Sequence, residues 1–120
     1  AFFDGDPWAE IAATPGPGAS TRFPSRFLGF NYDATAITAA AGFDVTLPLS
    51  TAYGGRVGAG DISADGRDDL VAGAGRDPAA PSTVWSYAYT GAALVPLPST
   101  FTPFPGNGYG VNATGANLGY

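Results

Sequence analysis

The chain has no cysteine, histidine, lysine or methionine in its 120 residues. Without Cys or His it can build no disulfide, thiolate zinc site, Cys or His nucleophile, or Ser-His-Asp triad from its own side chains. Charge is sparse and one-sided, with five Arg against ten acidic residues and a net charge of −5. Nucleic-acid phosphates need clustered cations, so no nucleic-acid partner is expected. Long apolar runs are missing too. Gly, Pro or a charge interrupts every stretch well short of the roughly 20 residues of a membrane helix, so no membrane insertion is expected. The sequence opens Ala1-Phe2-Phe3 with neither an initiator Met nor a leader pattern, and is expected to be a processed product or an excerpt of a longer chain.

What is present points to a folded, turn-rich chain. Gly and Pro number 18 and 11, yet hydrophobic residues reach 45%, with two Trp, six Tyr and eight Phe to form a core. Helix signals are nearly absent; the best stretch, Ala34 to Ala41, holds the indifferent formers Thr35, Ile37 and Thr38. Short strands are expected at 10–13, 27–32, 43–47, 69–72, 83–89 and 111–114. In Val84-Trp85-Ser86-Tyr87-Ala88-Tyr89 large and small residues alternate with the two-residue period of a pleated strand. Between the runs lie Pro15-Gly16-Pro17-Gly18, Gly54-Gly55, Arg76-Asp77-Pro78 and Pro105-Gly106-Asn107-Gly108, all turn chemistry. This pattern is that of an all-β protein.

An internal repeat organises the chain. Residues 10–16 align with 69–75 at an offset of 59. Leu28, Phe30, Tyr32 and Ile37 align with Trp85, Tyr87, Tyr89 and Leu94 at 57, and Tyr53-Gly54 with Tyr109-Gly110 at 56. Loop-length differences between two copies of one unit produce such drift. Two units are therefore expected, 1–56 and 57–120, each with room for four short strands. The second unit runs out in the part that leads, in the first, into Asp61, while the matching acidic segment Asp4-Gly5-Asp6 sits at the other end. The tail from Val111 is thus expected to continue into the Phe2–Ala13 segment of another copy.

The segment Asp61 to Leu70 carries the chemistry. Side-chain oxygens fall at its positions 1, 3, 5 and 9, with Gly66 at position 6 where the backbone must turn sharply. Calcium takes six to eight oxygens, and this spacing offers Asp61, Ser63, Asp65, the Arg67 carbonyl and Asp69. It is no EF-hand loop, since position 12 is Ala72 and flanking helices are missing. In the first unit Asp4, Asp6 and Glu10 align with Ser63, Asp65 and Asp69, a possible weaker second site. There Phe2 replaces the first ligand and Pro7 the glycine. Proline cannot reach positive φ, so this degenerate loop at 2–10 is expected not to copy its partner's path.

Tyr53-Gly54-Gly55-Arg56-Val57-Gly58-Ala59-Gly60, then Asp61 to Leu70, then Val71-Ala72-Gly73-Ala74-Gly75, resembles an FG-GAP repeat, the blade of integrin-α-type β-propellers and of VCBS-like repeats. The resemblance implies four-stranded blades, calcium in the inter-strand loop held by Asp61, Ser63, Asp65, Arg67 through its carbonyl and Asp69, and roles in adhesion or extracellular scaffolding. Two blades cannot close a propeller, so neighbouring copies or a longer parent chain would complete it, as a ring or a filament.

Other features weigh less. Asn112-Ala113-Thr114 is a glycosylation sequon. Trp8 and Trp85 could stack on sugar, although packing between blades is the commoner use of such rings. Asp68-Asp69 and Glu10 do not suggest a glycosidase pair; the metal loop explains Asp69 better, and Asp68 is expected to face solvent. The expectation is a non-enzymatic, extracellular, calcium-stabilised structural or adhesive propeller protein that self-associates head to tail. The alternatives are a lectin-like binding propeller and a non-catalytic piece of a larger enzyme or adhesin.

Overall fold

Glycine and proline cut the chain into short extended pieces, and among the described residues seven of them form strands. The structure, a computed structural model, describes residues 1–16, 23–48 and 53–116. Pro17 and Gly18 of the first turn and positions 117–120 of the tail lie outside the described residues. The strands are β1 (Ile11–Ala13), β2 (Arg26–Tyr32), β3 (Ile37–Thr46), β4 (Gly55–Gly60), β5 (Asp69–Ala74), β6 (Val84–Tyr89) and β7 (Leu94–Pro96). They make two antiparallel sheets, β1-β2-β3 and β4-β5-β6-β7, each in chain order. Among the described residues there is no helix, and none is long and apolar enough to cross a membrane.

The expected all-β class is therefore what the chain has, but the strand inventory differs: β3 begins at Ile37, within the weak helix stretch Ala34 to Ala41, β7 lies outside the expected strands, and three further differences bear on the sheets. Among the described residues the first sheet has three strands where four were expected. Beyond β1, among the described residues, only Ala1 pairs. Its oxygen accepts from Glu10 N at 2.7 Å and its amino group donates to Glu10 O at 3.3 Å. The segment 111–114, expected as a strand, belongs to no sheet. It is bound face-on instead: Val111 N donates to Ala74 O at 3.2 Å and Gly115 N to Ala59 O at 3.0 Å. Finally β4, which lies outside the expected strands and begins at the Gly55 of an expected turn, is a full strand. A Cβ on Gly58 would lie 2.0 Å from Ala113 O, and one on Gly60 2.4 Å from Gly115 Cα. These glycines serve a close backbone approach rather than a turn.

The two sheets repeat each other pair by pair. Ile11↔Phe30, Ala12↔Gly29 and Ala13↔Leu28 across β1–β2 correspond to Leu70↔Tyr87, Val71↔Ser86 and Ala72↔Trp85 across β5–β6. Tyr32↔Ile37 likewise corresponds to Tyr89↔Leu94. These are the residues that the repeat alignment matched.

The main core lies between the sheets, where Phe27, Ala40, Phe43 and Leu47 meet Leu70, Ala72, Tyr87 and Tyr89. Phe3, fully buried, closes one end with its ring edge-on to Phe43 at 4.9 Å. Tyr89 stacks obliquely on Phe43 at 5.1 Å, and its hydroxyl donates to Ala41 O at 2.6 Å. Burial is easy for this ring because its one polar atom is satisfied. A smaller cluster on the far face of the second sheet joins Val71 and Val84 to Val111 and Ala113.

Candidate cation-binding loops

Both acidic segments lead into the second strand of the repeat unit, and each is anchored by its last acid. Asp69, at the start of β5, is 1% exposed, and its Oδ2 accepts from Ile62 N at 2.7 Å and Ser63 N at 2.6 Å. Glu10, just before β1, is 4% exposed, and its Oε2 accepts from Phe3 N at 2.6 Å and Asp4 N at 3.4 Å. Phe3 and Asp4 are the counterparts of Ile62 and Ser63, so the same pair of amides is held by the same acid. Asp65 Oδ1 accepts from Arg67 N at 2.9 Å, and its counterpart Asp6 Oδ1 from Trp8 N at 2.8 Å. Burying a carboxylate is costly unless N–H donors satisfy it, and here the loop backbone supplies them.

The loops part company where the sequence departs. Asp61 receives Asp65 N at 3.0 Å and Gly66 N at 2.9 Å on its two oxygens. Gly66 takes φ +88°, a conformation closed to Pro7. With Phe2 in place of that first acid, Asp4 takes over and accepts from Asp6 N at 2.9 Å. The expectation that the first loop could not follow its partner is thus corrected in part: its anchor and its middle hydrogen bond are preserved, and only its tip differs.

The acids are also gathered differently from the sequence ranking. Asp4, Asp6 and Glu10 each place a carboxylate oxygen within 4.8 Å of the others. Among the described residues Asp61, Asp65 and Asp69 form no such trio. Ser63, expected as a ligand, donates its hydroxyl to Asp69 Oδ1 at 3.3 Å. The Glu10 Oε1 atom is buried and, among the described residues, has no hydrogen-bond partner. Beside the trio, burial first, and then the charges of Asp4 and Glu10, push the Tyr89 phenol above its ordinary pKa.

The two loops touch. Asp68, expected to face solvent, is half-buried: its Oδ2 accepts from Phe2 N at 2.8 Å and its own N donates to Phe2 O at 2.7 Å. The Arg67 guanidinium, from the residue expected to offer only its carbonyl, approaches Gly5 so closely that a Cβ there would lie 3.6 Å from it. A single cation thus leans over the first loop's backbone. Neither contact has a signal in the sequence, because both join segments more than sixty positions apart.

Elsewhere, Asn112 is exposed, while the Thr114 of its sequon donates its hydroxyl to Ala59 O at 2.9 Å. Trp85 packs on the inter-sheet core, and Trp8 stands edge-on to Tyr32 at 6.1 Å. In comparisons with protein-family models, curated proteins and solved structures, nothing matched the chain.

Proposed function

We propose that this chain is a non-enzymatic, extracellular structural or adhesive repeat protein whose sheets are propeller blades of the FG-GAP kind, stiffened by calcium and joined head to tail with neighbouring copies. The observation that carries the reading is the pair-by-pair repetition of β1-β2-β3 in β5-β6-β7, which among the described residues leaves the first sheet one strand short of its counterpart. A sheet edge left open in one unit and filled in the other is what a tandem or self-assembling repeat leaves behind.

Calcium fits the donor set, which is oxygen only. The gathered Asp4, Asp6 and Glu10, with the unsatisfied Glu10 Oε1, offer three carboxylates to one ion. In the 61–69 loop, Asp61, Asp65 and Asp69 already hold backbone amides and would bind through their remaining lone pairs. The reading therefore assigns the tighter site to the first loop. The ion acts as a staple, neutralising charge and fixing the turn into the next strand.

Thermal melts with calcium and with chelator test this. Chelator is expected to lower the Tm of the parent chain. The difference is expected to vanish in Asp6→Ala and to shrink only partly in Asp65→Ala. Identical melts with and without chelator would remove calcium from the reading.

A further inference from the structure

Among the described residues the first sheet has an unfilled edge and an uncovered face, and the second unit shows what fills both. The free edge of β1 corresponds to the edge of β5 that β4 occupies. The exposed face of β1 and β2 carries Ile11, Ala13, Leu28, Phe30 and Tyr32; direct cross-strand partners share a face, as Ile11↔Phe30 and Ala13↔Leu28 do. Their counterparts Leu70, Ala72, Trp85, Tyr87 and Tyr89 all belong to or pack on the inter-sheet core. Among the described residues the same surface of the first sheet is open, with a hollow of about 380 Å³ lined in part by Ala13, Leu28 and Phe30.

The matching piece lies at the other side of the molecule. Val111 to Ala116 are the repeat counterparts of β4, Gly55 to Gly60, at the offset of 56 set by Tyr53-Gly54 and Tyr109-Gly110. They are already seated as β4 is. Gly55 N donates to Pro15 O at 2.9 Å, and its counterpart Val111 N donates at 3.2 Å to Ala74 O, the counterpart of Pro15. A Cβ on Gly54 would strike Pro15 O at 1.9 Å, and one on Gly110 would strike Ala74 O at 2.6 Å. β4 lies on the first sheet and pairs with β5. Residues 111–115 lie on the second sheet and, among the described residues, pair with no strand.

We infer that residues 111–115 of a second copy add to β1 as an antiparallel edge strand in one fixed register, with the open face of the first sheet resting on the second sheet of that copy. This rests on the head-to-tail reading above and adds to it the segment, the edge and the pairing. The register is that of β4 on β5, where Gly55 faces Ala74 and Val57 faces Ala72. Carried over, Val111 faces Pro15, Ala113 faces Ala13 and Gly115 faces Ile11. Ala1 keeps its bonds to Glu10, so Gly115 is the last residue to pair. The contact is heterologous, since the surface that gives the strand differs from the surface that receives it.

The absence of native cysteine gives a clean test. Two single variants, Ala13→Cys and Ala113→Cys, are mixed under mild oxidation, so that every disulfide joins two copies. Directly opposed Cα atoms sit about 4.5–5.5 Å apart, within disulfide reach. Ile11→Cys mixed with Ala113→Cys is the control: it lies on the same face but two residues along, at roughly 7–8 Å. The expected result is a 13–113 dimer forming at least about tenfold faster than the 11–113 dimer. A mass in solution above one protomer, with equal rates for both pairs or no cross-link, overturns the register and leaves head-to-tail association standing. A chain that stays monomeric at all concentrations, with no cross-link, overturns both.

Discussion

Replacing Asp69 by Ala removes the carboxylate that ties the amides of Ile62 and Ser63 to the start of β5. Its Oδ2 takes two backbone amides, at 2.7 and 2.6 Å, in a residue only 1% exposed. Hydrogen bonds to a charged acceptor contribute about 1.5–3 kcal/mol each, and the amides left behind are partly reached by water, so the lower part of the range applies. The expected loss is about 3–4 kcal/mol, against about 5–15 kcal/mol for a domain of this size. Asp69→Asn keeps an oxygen facing both amides but gives up the charge, and is expected to lose about 1–2 kcal/mol. Urea denaturation followed by tryptophan fluorescence reads both values, since Trp85 packs on the inter-sheet core. The measurement is made in chelator, because the bonds at issue run to backbone and not to an ion. Asp69→Ala within about 0.5 kcal/mol of the parent, or Asn as damaging as Ala, would refute the argument.

The remaining predictions concern the other end of the core and the surface. Phe3→Ala is expected to cost about 3–5 kcal/mol, because a fully buried ring against Phe43 leaves a cavity; denaturant midpoints check it. Asp33 is held down to a pKa of about 2, first by the Thr35 hydroxyl and then by the amides of Ala36 and Thr35. Its folded pKa is depressed, so its contribution is present above the ordinary aspartate value and is lost as pH falls through about 2. Thr35→Ala removes the largest of these effects, and NMR titration should then show the Asp33 pKa moving up toward the ordinary range. A titration unchanged by that substitution would mean the amides alone hold the carboxylate.

The alternation in Val84 to Tyr89 was legible because it depends on neighbours a few positions away. Local period fixes which face a strand residue takes, and a carboxylate at a given spacing reaches the amides of its own loop. The same locality explains why the repeat alignment and the sheet pairing agree: strand neighbours are set by short connections within each unit. β4 was not legible as a strand because Gly58 and Gly60 answer to a backbone that arrives from residues 113–115, which no local pattern records.

Composition and spacing alone settled that the chain is all-β and turn-rich, and where its acidic loops lie, since these follow from backbone freedom and side-chain period. Only the tertiary structure decided that Asp4, Asp6 and Glu10 converge while Asp61, Asp65 and Asp69 do not, and that Arg67 and Asp68 reach across to the other loop. Convergence and contact across sixty residues depend on how two sheets stack. That stacking is fixed by the joint fit of Phe3, Phe27, Phe43 and Tyr89, which no local stretch of sequence contains.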